Sequence, residues 1–520
     1  MFIDSIIETI SPKSALNREI KRQQLQMLRK VSNSGYDESG ASHSKSSMKG
    51  WNPRSLSPQE DIDKNLYTLR QRSRSLMTSS PIATSAIKTS RTNIVGTGLR
   101  LRPTVDAEAL GLTHEQATEW NKKTQREFKA WAESRYCDAT RQNNFYEMQQ
   151  LVMMSTLING DTCAVHQYDK KQMKFIPYGL KIKLVEADKV STPNSPGSYI
   201  NLNEKAENGN RIYNGVEMDE NGAVTAYYIC NSYPYSALHV EKKWIRVDAF
   251  NKATGLPNVL MVFESERVDQ YRGVPFLAPV IETVKQLTRY SEAEIMAAVI
   301  NGFFTVFVTS EGDKGSTVFN GINQSEEDID ETNEYGLGPG MINVLSPGEH
   351  IEMADAKRPS TNFDAFTSSF AKYIGAALEI PQELLLKSFN SSYSASKAAI
   401  EEGFRSYLMR RSWLVSDFCQ PVYETFMYES IASGRIVAPG FFFDPLIRKA
   451  YCKAEWNGPT KLMLDPVKEI TAAEKRIDLG VSTHEIETIE LKGGDFDSNV
   501  QQLKIENEKL KEAKGEDKVV

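Results

Sequence analysis

Residues 361–402 read TNFDAFTSSFAKYIGAALEIPQELLLKSFNSSYSASKAAIEE, and how this stretch divides decides how the rest of the chain can be arranged. Thr361 and Asp364 have the spacing of a helix-starting box. After them Phe363, Phe366, Phe370, Tyr373, Ile374 and Leu378 recur at helical intervals until Pro381 interrupts the pattern. The spacing predicts a helix over 361–379, about 28 Å long at about 1.5 Å per residue. A polar loop follows at SSYSASK, 391–397, and from Ala395 to about Ser433 the pattern is helical again. A kink is expected at Pro421, which removes an N–H and crowds the preceding turn. Such a helix would extend about 57 Å, more than most globular cores need. The stretch therefore predicts an elongated subunit.

Working outward, Pro275 and Pro279 precede a run in which Val280, Val284, Leu287 and Ile295 mark a helix face, ending at Asn301-Gly302. Between the two helices, FFTVFVTS and MINVL give β-rich ends around a polar middle. Residues 311–336 there carry eight acids and one base, as in a protruding acidic lobe. Residues 161–265 hold short β runs such as KIKLVEA and AVTAYYI, punctuated by the turn signals STPNSPG, ENGN and DENG. Upstream, residues 60–95 are helix-like and NIVGTGLRLRP turns into a strand. Trp120, Phe128 and Trp131 fall at helical spacings, and Phe145 to Ile158 reads as a helix that breaks at Asn159-Gly160. Residues 31–60, rich in Ser, Gly and Asn, read as a loop, arm or linker. The terminal QQLKIENEKLKEAKGEDKVV has few apolar positions and reads as a frayed helix or tail.

At 520 residues, with 40% hydrophobic and 25% charged residues, the chain has room for two to four structural units and an ordinary folded composition. Its net charge of −6 conceals an asymmetry: residues 1–103 carry 17 Lys/Arg against 8 Asp/Glu, a balance of +9, and the remainder carries −15. A basic start on an acidic body suits a nucleic-acid or partner-binding arm, or a solvated surface segment. The five cysteines, at 137, 163, 230, 419 and 452, form no C-x-x-C pair and read as buried thiols in a reducing compartment. MFIDSIIETISPK lacks the basic region of a secretory signal. The longest uncharged, mostly apolar run, Ile295–Ser310, is shorter than the roughly 20 residues of a membrane span. These features are those of a soluble protein that is intracellular when made.

Within the serine-rich loop, Ser394-Ala395-Ser396-Lys397 fits S-x-x-K, which in an acyl-enzyme sets a serine beside an unprotonated lysine at a helix start. The companions are missing: no S-D-N or K-T-G follows, and Ser416-Asp417-Phe418 lacks the asparagine. Gly458-Pro459-Thr460-Lys461 is not a phosphate loop, and Gly96-Thr97-Gly98 lacks the third glycine of a dinucleotide fingerprint. His114-Glu115 and His484-Glu485 lack the second histidine of a zinc motif. The acids Glu326, Glu327, Asp328, Asp330 and Glu331 lack the glycine and glutamate of a calcium loop. No catalytic residue, metal site or cofactor is assigned.

Nine segments, in order over roughly residues 60–480, together resemble the lambda-type portal proteins of tailed bacteriophages. They are NIVGTGLRLRP, LINGD (157–161), KLVEADKVSTP, NGVEMDENGAVTAYYI, YRGVPFLAPVI, RPSTNFDAF, SYSASKAAIEE, FCQPVYETF and WNGPTKLMLDPVKE. The resemblance implies an α+β, elongated protomer that assembles with others, usually as twelve copies, into a ring at one capsid vertex, through which double-stranded DNA is packaged and ejected. It implies a basic arm at 1–60, a wing at 61–275, a first stem helix at 276–303, a clip at 304–357 and a second stem helix at 358–386. A tunnel loop at 387–397, a long kinked helix at 398–435, and wing completion, crown and tail at 436–520 complete the division. In such proteins the tunnel loop projects into the channel, which makes Lys387, Asn390, Ser391, Ser392, Tyr393, Ser394 and Lys397 the DNA-channel candidates. Lys397 stands where relatives commonly have Arg, and Leu386-Lys387 replaces a common small-plus-acidic pair. The clip surface, with Glu326, Glu327, Asp328, Asp330 and Glu331, would dock the terminase large subunit and afterwards head-completion or adaptor proteins. Major capsid and scaffolding proteins are further implied partners, with no membrane contact, in the virion and, during assembly, the host cytoplasm. The rival readings are a serine acyl-enzyme using Ser394 and Lys397, and another ring-forming head–tail adaptor.

Overall fold

The computed structural model describes residues 12–31, 41–42, 45–193, 204–236, 241–302, 306–310, 349–353, 363–389, 392–463 and 465–514. Met1–Ser57 and Pro58–Val520 are separate compact units. In the first, helix α1 spans Pro12–Val31, with Leu16, Ile20 and Leu25 exposed.

The second unit opens with a π-helical turn, Gln59–Asp63, that runs into α2, Lys64–Ser79. Pro81 then starts α3, Pro81–Ile94; its fixed φ suits a first helical position. Strand β1 (Arg100–Pro103) pairs antiparallel with residues Ala454–Asn457. Reciprocal side-chain caps start the next two helices, Thr113 with Gln116 for α4 (His114–Ala132) and Asn144 with Glu147 for α5 (Phe145–Asn159).

Two antiparallel sheets follow. One has the order β3-β2-β8, from β2 (Asp161–Tyr168), β3 (Leu180–Glu186) and β8 (Val259–Phe263). The other has the order β4-β5-β6-β7, from β4 (Arg211–Tyr213), β5 (Val216–Met218), β6 (Val224–Cys230) and β7 (Trp244–Asp248). Next come α6 (Ile281–Gly302) and the antiparallel strands β9 (Val306–Ser310) and β10 (Glu349–Met353). The expected MINVL strand and all five acids of the expected clip surface, Glu326 to Glu331, lie outside the described residues.

The chain resumes with α7 (Phe363–Ala377), the short α8 (Gln382–Leu386), α9 (Tyr393–Leu414) and α10 (Gln420–Ala432). A turn at Val415–Cys419 with π-helical bonding joins α9 to α10. The irregularity thus falls just ahead of Pro421, where the missing N–H cannot continue an α-helical ladder. The remaining elements are α11 (Pro445–Tyr451), β11 (Ala454–Asn457), α12 (Pro466–Asp478), α13 (His484–Lys492) and α14 (Phe496–Lys514). The last covers most of the stretch that the sequence reads as a frayed helix or tail.

Three stripe positions, Ile295, Phe366 and Tyr373, differ from expectation in being exposed. Val280, Val284 and Leu287 are buried, but Ile295 is exposed; Ile374 and Leu378 are buried, but Tyr373 is 74% exposed. Helices α6 and α7 do meet, through Tyr290 against Phe363 and Phe366 with ring centroids 5.7 and 4.5 Å away. Among the described residues, the buried apolar residues of the two helices are Val284 and Leu287 on α6 and Ala371 and Ile374 on α7, and Glu294 of α6 is buried as well.

The apolar core gathers around Phe128, whose ring lies 5.2–5.8 Å from those of Trp131, Phe145, Tyr423, Phe426 and Trp456. Most of these contacts are edge-to-face, the favoured arrangement of ring quadrupoles. They draw α4, α5, α10 and β11 together from across more than three hundred residues. All five cysteines are buried and unpaired.

Beside this core lies a buried ionic cluster. Asp161 and Arg272 are both fully buried. The Arg272 guanidinium donates from Nε and one terminal nitrogen to the two Asp161 oxygens, at 2.7 and 3.0 Å. Its other donors reach the carbonyls of Ala187, Val190 and Asn214, so all five are satisfied. Arg70 from α2 donates to both Asp161 oxygens at 3.0 Å, and the Gly273 N–H adds a third donor at 3.1 Å. Burial by itself would push the Asp161 carboxyl up; Arg272, Arg70 and these hydrogen bonds outweigh it and hold it below the usual range. Gly160 and Gly273 let the two backbones touch, since a Cβ on Gly160 would stand 2.3 Å from the Gly273 carbonyl oxygen.

Removing one partner of such a cluster leaves a buried charge uncompensated, at a cost of about 3–5 kcal/mol. Asp161→Ala is therefore expected to lower the urea midpoint by that amount of stability at unchanged m-value. A loss below about 1 kcal/mol, the scale of an exposed pair, would show the cluster to be incidental.

Asp63 adjoins the cluster with its carboxyl pushed up to about 6, because burial outweighs the opposing pull of Arg272, Asn214 and Arg70. The folded state then holds this proton more tightly than the unfolded chain, so Asp63 lowers stability as pH rises from 3.8 to about 6. Asp63→Asn should gain on the parent across that window, levelling off at about 3 kcal/mol above it. Urea unfolding of both proteins between pH 4 and 8 measures the difference. A gap that does not change with pH would exclude Asp63 as its source.

Candidate functional site

Segment 387–397 joins α8 to α9 and carries most of the candidate residues. Helix α8 ends because Lys387 takes a left-handed conformation, φ 56°, with its N–H donated to the Glu383 carbonyl. The Lys387 ammonium donates to Thr89 Oγ1 at 2.8 Å, and Ser85 Oγ donates to the Leu385 carbonyl at 2.7 Å. Both anchors come from α3, so the start of the segment is pinned to that helix. A cleft of about 550 Å³ opens there, lined by Thr84, Ser85, Lys88, Thr89, Thr92 and Lys387 among others, with no carboxylate. Asn390 and Ser391 lie outside the described residues.

The other end is fixed by a cap. Ser392 Oγ accepts the Ala395 N–H at 3.4 Å, which starts α9 at Tyr393, two residues earlier than the sequence suggests. Ser394 and Lys397 therefore sit on the first turns of a helix and not in a loop. Ser392, Tyr393 and Ser394 are exposed. The Lys397 ammonium meets Glu469 Oε1 of α12 at 2.9 Å, and the Lys468 ammonium lies 5.4 Å from the centre of the Tyr393 ring. The segment is held at one end by α3 and at the other by α12.

This geometry bears directly on the S-x-x-K spacing. A serine nucleophile needs a neutral lysine to take its proton. Here the hydrogen bond and charge of Glu469 raise the Lys397 pKa, which favours the ammonium. The same bond lowers the Glu469 pKa. The pair is a charge-assisted anchor for a helix start and not a base for Ser394. Among the described residues no cluster of three or more His, Cys, Asp or Glu is placed to hold a metal ion, and no helix is long and apolar enough to cross a membrane.

The segments singled out in the sequence converge elsewhere. LINGD supplies Asp161, KLVEADKVSTP supplies Asp188 and the Val190 carbonyl, NGVEMDENGAVTAYYI supplies the Asn214 carbonyl, and YRGVPFLAPVI supplies Arg272. NIVGTGLRLRP pairs with WNGPTKLMLDPVKE through β1 and β11, and Arg411 ties their turns together by donating to the carbonyls of Ile94 and Pro459. A sequence profile described as "Phage portal protein, lambda family" matches residues 44–411, well over half of the chain. The chain belongs to the lambda family of phage portal proteins.

Full-length relatives agree. The portal protein of Escherichia phage N15 and portal protein B of Escherichia phage lambda are each 24% identical to this portal-family chain over 470 residues, covering 86% of it and 85% of each relative. The probable portal protein of Halomonas phage phiHAP-1 is 23% identical over 440 residues, covering 82% of this chain and 78% of the relative. Among solved structures, the neck of a native gene transfer agent particle computed with C12 symmetry is similar at 10% identity and TM-score 0.42, covering 80% of this chain and 92% of that one. The neck of the empty particle, computed with C6 symmetry, is similar at 12% identity and TM-score 0.43, over 80% and 92%.

Glu469, Thr89 and Lys468 were not foreseen as partners of the segment. Glu469 closes the last family-like stretch, but nothing in its spacing says that it meets Lys397. The contact is testable by hydrogen exchange. Glu469→Gln should speed amide exchange over residues 392–397, and Lys397→Glu should speed it further by setting two carboxylates together. The reversed pair K397E/E469K should return toward the parental rate. Unchanged exchange in both single variants would mean that the contact holds nothing.

Proposed function

We propose that this portal-family chain assembles into a ring of twelve copies at one vertex of the capsid and forms the channel through which double-stranded DNA is packaged and later ejected. The observation that carries the reading is the family match over residues 44–411. Within it, α6 and α7 are the stem, residues 304–357 the clip, residues 387–397 the tunnel segment and α9 with α10 the long kinked helix. Residues 61–275 and part of 436–520 make the wing, and the rest of the latter makes the crown and tail. The basic segment 1–60 is an arm toward capsid, scaffold or DNA. The acidic stretch with Glu326, Glu327, Asp328, Asp330 and Glu331 is the docking surface for the terminase large subunit and then for head-completion proteins.

Ring symmetry supports this reading of so short a segment, because every exposed residue is repeated around the hole. DNA carries a charge about every 1.7 Å along its axis, so rings of freely presented lysine would grip it in a salt-dependent way. A conduit needs contact without retention. Exposed hydroxyls of Ser392 and Ser394, with Lys397 held by Glu469 and Lys387 held by Thr89, suit non-specific passage in which no base is read. Lys397 then sets the start of the channel helix more than it contacts phosphate, and Tyr393 and Phe389 are the large exposed side chains of the segment.

Negative-stain images of the purified protein should show rings with a central hole; monomers or dimers without one would sink the proposal. Lys397→Glu should leave the rings intact while lowering the yield of packaged DNA, and E469K in the same chain should restore that yield. If the reversed pair packages no better than the single variant, Lys397 acts on DNA directly.

A further inference from the structure

Helix α14 stands largely alone. Phe496 stacks on His484 of α13, with ring centroids 5.3 Å apart, and every residue from Asp497 to Ala513 is exposed. In proteins most helical stability comes from the packing of an apolar face and not from intrinsic propensity. Its apolar residues are not scattered. Phe496, Val500, Leu503 and Leu510 fall at alternating steps of four and three, with Asn507 at the one remaining position. Written as a heptad, Phe496, Leu503 and Leu510 occupy d, and Val500 and Asn507 occupy a. Ile505 is the one large apolar residue exposed on this helix that lies off the seam.

The seam also states what should cover it. A β-branched residue at a with leucine at d favours two strands, and a lone asparagine at a sets their register. The flanking charges choose the direction. Glu506 lies at g, and Lys504 and Lys511 lie at e. In a parallel, in-register pair each Glu506 faces the partner's Lys511, and the contact occurs twice. In an antiparallel pair e faces e, which sets lysine against lysine.

We propose that α14 pairs with α14 of a second copy of this chain as a parallel, in-register, two-stranded coiled coil through Val500, Leu503, Asn507 and Leu510. The pairing does not rest on the proposed ring; in a ring of twelve it would join the copies two by two, and the closeness of the copies would raise the effective concentration that so short a seam needs.

The test uses the full chain with single added cysteines, since all five native thiols are buried. Under mild oxidation, Leu510→Cys and Asn507→Cys should each give disulfide-linked dimers on a non-reducing gel, whereas Lys509→Cys, on the outer face, should give none. Two positions on the seam keep the test informative if one variant folds poorly. Equal linkage at 509 and 510, or none at 507 and 510 in folded protein, overturns the pairing. Linkage only in a mixture of Leu503→Cys and Leu510→Cys chains, and not within either alone, would mean an antiparallel pair and also overturns it. Dimers are scored whatever the size of the native assembly, so a failure of the ring leaves this test standing.

Discussion

The bond between Asp161 and Arg272 is the constraint around which the larger unit is organised. Two charges buried without water are tolerable only if nearly every donor and lone pair is used. Arg272 meets that condition with five acceptors, taken from β2 and from the backbone at residues 187, 190 and 214. Arg70 brings α2 to the same carboxylate. With Arg70, which also donates to the Asn159 carbonyl at the end of α5, the pair fixes two helices and two sheets at a single point, and Gly160 and Gly273 clear the space for it.

From that point the architecture follows in both directions. The Phe128 ring cluster joins the helices of residues 114–159 to α10 and β11, so the last third of the chain is packed onto the first. The segment before α9 is then suspended between α3, through Thr89 and Ser85, and α12, through Glu469. Polar contacts at both ends, with Phe389, Ser392, Tyr393 and Ser394 exposed, define a part whose position is set by the body.

The sequence was most legible where local rules dominate. The helix from Phe145, its break at Asn159-Gly160, and the strands in KIKLVEA and AVTAYYI need only helical periodicity, glycine and alternation. It was least legible at the ends of amphipathic stripes. Ile295 and Tyr373 fit their helical patterns but are exposed, because a stripe records which residues share a face and not how far the neighbouring element extends. Helix α14 shows the converse: few apolar residues suggested a frayed helix or tail, and their heptad spacing is compatible with the helix that runs over Phe496–Lys514.

By itself the sequence determined the family, because nine short segments in fixed order are specific even when none is decisive, and it placed the break between α7 and α9. Tertiary structure alone decided what those segments do. Asp161, Arg272 and Asn214 are far apart in sequence and serve one another as buried partners, which no spacing rule can express. It also decided the meaning of S-x-x-K, since the protonation of Lys397 depends on Glu469, seventy-two residues further along the chain. Local pattern specifies conformation; the pKa and partners of a side chain belong to whatever the fold brings beside it.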